Sequence, residues 1–304
     1  MNNVRFIAYL GPPGTFSEEA ALPLSKETNA AMIPQPDIKN LLERVSGDEE
    51  CIGVLPIENS VHGEVTMAWD SLIFQSKDIY IIREVVVPIT FCSFRKSGRS
   101  TTGIHTIISH PHALAQCGNY LRSLNVSVKA ASSTAEACRI VAQEDDSGTL
   151  AIASERAGLM YNLAKIDCNI DDHKGSATRF YVIGHNFPAS SGSDKTVIAA
   201  IPSKEGKGVL IDLLGSISHR DLDIYSIHSR SLPAFLGKYC FVIIFEGHIK
   251  DLKTIALLNE MVSRRITIKI LGTFPSWKGE YPSVRFSDMP GGIYELKELH
   301  TILK

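Results

Sequence analysis

The sequence predicts an α/β chain built on largely parallel sheets that ends in a compact β-α-β-β-α-β unit. Three observations carry that expectation. From Phe6 to about Gly184, short apolar runs alternate with segments of helical period, the pattern of sheets flanked by helices. A segment with Pro, Gly and several Ser but no apolar periodicity, residues 185–195, then reads as a linker. Beyond it, strand, helix, strand, strand, helix and strand follow one another in the ferredoxin-like order.

The first region offers seven strand candidates: FIAYLG (6–11), IGVLPI (52–57), IYIIREVVVPITFC (79–92), TIISH (106–110), VSVKAASS (126–133), LAIAS (150–154) and FYVIG (180–184). Each is short, apolar and rich in β-branched or aromatic residues. Residues 113–124 and 135–143 carry helical periodicity between them. After the linker come strand 196–202, helix 208–220, strands 222–233 and 239–248, helix 251–265 and strand 267–274. The tail from Pro275 to Lys304 is polar and turn-rich, with an apolar helical stripe at Leu296, Leu299 and Leu303.

At 304 residues and 44% hydrophobic content the chain is long enough for about two domains. A formal net charge of −2 argues against bulk attraction to nucleic acid or an anionic membrane, so local groups must hold any anionic ligand. The six cysteines form no C-x-x-C pair and no zinc spacing, which predicts reduced thiols used as core fillers in a cytoplasmic protein. No stretch reads as a signal peptide, and Arg83 and Glu84 interrupt the longest apolar run, so no transmembrane helix is expected.

Several strand-to-helix junctions share a feature. Thr15 with Glu18 and Ser133 with Glu136 have capping-box spacing, Pro111 suits a first helical position, and Ser154 is placed as a cap. In an open α/β sheet such junctions gather at the carboxyl ends of the strands, where helix N-termini favour anions. Taken one at a time, however, each is an ordinary cap.

Two clusters are more specific. GVLPIENSVHGEV ends a strand and then places Glu58, Asn59, Ser60 and His62 within five residues. SATRF presses Thr178 and Arg179 against the start of a strand. Asn59-Ser60 also suits a turn, Thr178 a β-former and Arg179 an ion pair, so residue chemistry alone leaves catalysis and structure level.

Read in order, YLGPPGTFSEEAA, GVLPIENSVHGEV, SHPHALAQC, ASSTAEA, AIASERAG, ATRFYVIG and the later GVLIDLLG and HSRSLP resemble the prephenate dehydratase family from about Arg5 to Ser276. The resemblance implies a two-lobed, periplasmic-binding-protein-like catalytic region over 1–185, lobe one holding about 1–76 and 171–185 and lobe two about 77–170. It further implies an ACT regulatory domain over 195–276 and a tail over 277–304. The implied reaction converts prephenate to phenylpyruvate on the route to phenylalanine, with no metal, flavin or nicotinamide required. Arogenate dehydration and a non-catalytic amino-acid sensor are the alternatives.

By that resemblance Thr178 meets the oxygen that departs, with Glu58, Asn59 and Gln116 as its catalytic companions. Thr15, Ser60, Ser133, Thr134, Arg179 and Phe180 are expected to bind substrate, Arg179 as a carboxylate partner or an ion pair bridging the lobes. His110 is expected to be a structural cap, Cys117 a core residue, and His62 is unassigned. Phenylalanine is the implied effector, held near Gly208, Val209, Leu210, His228, Ser229 and Arg230, and a homodimer or homotetramer is expected. The chain departs from the family pattern at Ser176, where many relatives carry Asn, and at His228, where Glu is common. The latter changes the charge at the expected effector site.

Overall fold

The structure, a computed structural model, describes residues 3–98, 103–144, 146–202, 208–234 and 237–279, with the isolated positions 297 and 301. The expected stripe at Leu296, Leu299 and Leu303 lies outside the described residues.

Lobe one opens with β1 (Phe6–Leu10), α1 (Phe16–Thr28), β2 (Ala31–Gln35), α2 (Ile38–Ser46), β3 (Cys51–Asn59) and β4 (Gly63–Glu64). A short α3 (Thr66–Asp70) runs into a π-helical turn (Ser71–Gln75), and β5 (Tyr80–Pro88) follows. Lobe two contains β6 (Cys92–Lys96), β7 (Thr106–Ser109), α4 (Pro111–Gln116), α5 (Gly118–Leu124), β8 (Ser127–Ala130), α6 (Thr134–Gln143), β9 (Thr149–Ala153), α7 (Glu155–Met160) and β10 (Leu163–Cys168). The chain returns to lobe one as β11 (Ala177–Gly184). The last unit is β12 (Asp194–Ile201), α8 (Val209–Ser218), β13 (Ile224–Ser231), β14 (Tyr239–Glu246), α9 (Leu252–Ser263) and β15 (Thr267–Pro275), the ferredoxin-like order.

Among the described residues there are two sheets. Lobe two has the order β10-β6-β9-β7-β8. The other runs β13-β14-β12-β15-β5-β11-β3-β1-β2, with β4 beside β3, so the C-terminal unit and lobe one share one sheet. The joint is a single parallel contact, Gly272 opposite Ile81. Only glycine fits there, because a Cβ on residue 272 would lie 2.3 Å from the Ile81 carbonyl oxygen.

Alternation along β11 explains how the shared sheet is covered. Phe180 and Val182 pack with Ile7, Tyr9, Val54 and Leu24 beneath α1. Tyr181 and Ile183 face the other way, into a core that joins Leu55, Ile57 and Trp69 of lobe one to Val197, Val242, Ile244 and Phe274 of the C-terminal unit. The opposite face of the C-terminal sheet packs on α8 and α9 through Ile198, Ile243, Leu213 and Leu257.

Four expectations change. Residues 79–92 form two strands, and β5 hydrogen-bonds to β11 in the lobe-one sheet, so the crossing between lobes falls at Ile89–Phe91 rather than at residue 77. The helix expected over 113–124 breaks at Cys117 into α4 and α5. The linker ends at Ser193, since Asp194 and Lys195 are buried in β12. Cys92 and Cys168, opposite one another on β6 and β10, are joined by a disulfide, whereas Cys51, Cys117, Cys138 and Cys240 are buried free thiols. Both β2, with its internal proline, and β10, with alternating charge, are edge strands whose weak apolar pattern hides them in the sequence.

Candidate active site

The carboxyl ends of β1, β3 and β5 in lobe one and of β7 and β9 in lobe two meet across the crossing segments. The expected caps form. The Thr15 hydroxyl accepts the Glu18 N–H and donates to the Leu10 carbonyl. Ser133 accepts from Glu136 N–H at 3.0 Å, Ser154 from Ala157 N–H at 3.2 Å, and His110 Nδ1 from His112 N–H at 3.3 Å. Each of these groups therefore satisfies a helix end. Thr134 is the first residue of α6 behind its Ser133 cap.

Thr178 lies at the start of β11, opposite Val87 of β5 and Asn59 of β3, and is 8% exposed. The Asn59 side-chain amide donates to its hydroxyl at 2.9 Å. The same residue's Oδ1 accepts the N–H groups of Val61 and His62, so one amide positions both the hydroxyl and the β3–β4 turn. Ser60 clamps this corner, its hydroxyl accepting from Ala177 N–H and its own N–H donating to the Ala177 carbonyl. Ser176 ties the return strand to the crossing segment through a bond to the Ile89 carbonyl. Gln116, at the end of α4, is 5% exposed, and its Oε1 has no hydrogen-bond partner among the described residues. A buried acceptor in that state favours a ligand that donates.

Other expected residues do different work. Phe180 is 1% exposed in the core under α1 rather than in the crevice, because it sits two residues beyond Thr178 where the strand is already covered. Arg179 points to the opposite sheet face and pairs with Glu58 at 2.5 Å and with Glu84 at 3.6 Å, all within lobe one. Glu84, 2% exposed, also receives Lys195 Nζ from β12 and the backbone N–H of Trp277, both at 2.7 Å. Glu58 is thus held in a line of charges leading into the C-terminal unit.

The ion pair bridging the lobes is a different one. Arg156 of α7 donates to Glu18 of α1 at 2.8 Å, and Gly14 N–H donates to the same carboxylate. The Ser154 hydroxyl reaches the Gly14 carbonyl. Gly14, at φ +89°, lies so close to α6 and α7 that a Cβ there would be 3.2 Å from Ala135 Cβ. Burial alone would raise the Glu18 pKa, but the Arg156 and Gly14 donors together hold it below the ordinary carboxylate value.

The expected effector residues divide between two faces. His228 contacts Glu64 and stacks 5.5 Å from Trp69, and Arg230 makes a two-pronged bond to Asp70 at 2.9 and 3.1 Å. Both face lobe one of their own chain, which alternation along β13 requires to be the face opposite Ser229. Burial lowers the His228 pKa. Gly208, with φ +89°, Val209 and Leu210 begin α8 on the helical side of the sheet.

Sequence reading missed Arg156, Glu84 and Lys195. Glu84 carried a signal, a lone acid inside an apolar strand, since such a group must be paired when buried. Among the described residues no group of three or more His, Cys, Asp or Glu side chains is placed to hold a metal ion.

Fold and site define a two-lobed α/β protein with a polar interlobe crevice, its first lobe extended by a ferredoxin-like unit. A sequence model described as prephenate dehydratase matches residues 7–188, more than half of the chain, and the chain belongs to that family. It is 35% identical over 273 residues to a prephenate dehydratase of Methanocaldococcus jannaschii, covering 88% of this chain and 97% of that one. It is also 35% identical over 272 residues to a bifunctional chorismate mutase/prephenate dehydratase of Neisseria gonorrhoeae, covering 89% and 74%. Among solved structures, a prephenate dehydratase of Arthrobacter aurescens in complex with L-Phe superimposes with a TM-score of 0.81 at 30% identity, covering 92% of this chain and 93% of that one.

Proposed function

We propose that this chain is a lyase that converts prephenate to phenylpyruvate, water and carbon dioxide, and that Thr178 assists the departing oxygen. The observation that carries the reading is the Asn59–Thr178 hydrogen bond at the crevice end of β11, in a chain of this family. The ring hydroxyl of prephenate is a poor leaving group. A hydroxyl held by an amide can hydrogen-bond that oxygen as its bond to the ring breaks. The ring carboxylate then departs as carbon dioxide, its bonding electrons completing the aromatic ring, while the expelled oxygen leaves as water. Aromatisation supplies the driving force, and the protein's task is to orient the ring and pass a proton to the leaving oxygen through the Thr178 hydroxyl, solvent restoring the proton that the hydroxyl gives up. The orphaned Gln116 Oε1 suits a contact to the substrate, and Asn59 positions the Thr178 hydroxyl. Glu58 contributes in this reading only by holding Arg179, on the sheet face away from Thr178.

The C-terminal unit is an ACT domain in this reading, and phenylalanine is its effector. The L-Phe complex of the Arthrobacter aurescens relative supports that assignment. Contacts of His228 with Glu64 and of Arg230 with Asp70 give an effector-driven movement a direct route to the turn that carries Asn59. Exposed apolar side chains on α8 and α9, Ile211 at 74% and Val262 at 62%, favour a homo-oligomer.

Phenylpyruvate formation from prephenate, with and without phenylalanine, tests both statements. Product that accumulates and is suppressed or stimulated by phenylalanine is expected. Absence of product from prephenate and arogenate alike would leave only a sensor.

A further inference from the structure

We infer that His62 and His112, one imidazole from each lobe, select the substrate's side chain by closing over its α-keto acid end. This rests on the dehydratase reading and deepens it. His62 lies in the β3–β4 turn of lobe one and His112 in the first turn of α4 of lobe two. Their ring centroids are 4.9 Å apart at 36°, the two lobes meeting ring to ring. Both residues are exposed, so neither ring is needed to fill a core.

Their place connects them to the reacting groups. The Asn59 amide that holds the Thr178 hydroxyl also holds the N–H of His62, so the ring is carried on the same hydrogen-bonded corner. On α4, His112 and Gln116 are four residues apart and share a face, and the Gln116 Oε1 is buried without a partner. Lobe one thus ties His62 to the corner that holds the Thr178 hydroxyl, and lobe two carries His112 on the same short helix as Gln116.

Charge points the same way. A substrate with two carboxylates needs positive charge or N–H donors, yet Arg179 is engaged by Glu58 and Glu84, and Arg156 by Glu18. The titratable groups on the elements packed around the pair are Glu58, Glu64, His110, Asp171, Asp172, His173 and Lys174. Glu58 binds Arg179, Glu64 contacts His228, Asp172 accepts from Asn119 N–H, and Lys174 faces Asp171 at 3.8 Å. His110 stands edge-on to His112 at 5.0 Å. Among the described residues no carboxylate forms an ion pair with either His62 or His112, which leaves their N–H groups to an anion.

A keto acid end consists of acceptors only, a carboxylate and a carbonyl oxygen, and it matches imidazole donors. An amino acid end replaces the carbonyl acceptor with an ammonium group, itself a cationic donor, which an imidazole N–H cannot serve. The pair therefore favours prephenate over arogenate.

Steady-state kinetics on both substrates test the inference with wild type, His62→Ala, His112→Ala and the donor-retaining His112→Gln. For each alanine variant the KM for prephenate is expected to rise roughly tenfold while kcat stays within about threefold, the mark of lost binding rather than lost chemistry. The kcat/KM for arogenate should hold or rise, so the selectivity ratio falls, and His112→Gln should recover part of the loss. Thermal melting checks folding, and His112→Gln decides if an alanine variant melts early. Unchanged KM and selectivity would overturn the inference, whereas a wild type inactive on both substrates would sink the dehydratase reading itself.

Discussion

The side-chain amide of Asn59 donates to the hydroxyl of Thr178 over 2.9 Å, joining residues 119 positions apart. The hydroxyl is thereby held in one orientation before substrate arrives. Thr178→Ala should lower turnover roughly 10²–10⁴-fold with the fold intact, because a positioned proton donor is removed. Asn59→Ala should lose about 10²-fold, since a hydroxyl misplaced by an ångström is a poor donor. Thr178→Ser should retain more activity than either. Phenylpyruvate formation and circular dichroism on the same preparations check this order, and full activity in Thr178→Ala would refute the assigned role.

Glu18 and Arg156 latch lobe one to lobe two, and acid should release the latch. Against burial, which opposes the charged form, the Arg156 and Gly14 donors hold the Glu18 pKa below its unfolded value. The stabilisation is then fully present above the ordinary carboxylate pKa and is lost as pH falls from there through the folded value. Melting temperatures of wild type and Glu18→Gln should differ most near neutrality and converge in acid. A constant gap between them down to pH 3 would contradict the assignment.

Glu84 is a buried carboxylate shared by Arg179 and Lys195. Glu84→Ala leaves both cations without their buried partner and should cost about 3–5 kcal/mol. The double variant Glu84→Ala/Lys195→Met should be less destabilised than additivity predicts, because one stranded charge is removed with its partner. Chemical denaturation of Glu84→Ala, Lys195→Met and the double variant gives the coupling, and additive losses would show that the line of charges is not energetically joined.

Gly272 permits the single bridge between β15 and β5. In Gly272→Ala the added methyl would meet Ile81 backbone atoms at 2.3 and 2.7 Å, so the strands must separate. A loss of about 1–3 kcal/mol is expected, as for overpacking elsewhere. Protease susceptibility of the 185–193 segment should increase with it, and wild-type stability would show that the joint carries nothing.

Legibility in the sequence followed the range of the interaction. Thr15, Ser133 and Ser154 were readable as caps because each bonds a backbone group three residues away. Thr178, Asn59 and Gln116 were readable only as members of an ordered motif series. Phe180 was misplaced because it shares a sheet face with Thr178 two residues away, and no local pattern states that α1 already covers that stretch of the strand. Arg179 was expected to reach a carboxylate, and it does, but its partners come from β3 and β5, whose order in the sheet no local pattern states.

The sequence by itself determined the α/β character, the ferredoxin-like order of the last unit, the helix caps and the family, since all of these are written in periodicity, short-range hydrogen bonds and motif order. Only the tertiary structure decided that β5 stays in lobe one, that Glu18 rather than Arg179 links the lobes, and that His228 and Arg230 turn toward their own lobe one. Those outcomes depend on which strands become neighbours and which faces are left to pack. Burial of apolar surface selects among such pairings over the whole molecule at once, so no window of sequence contains the answer.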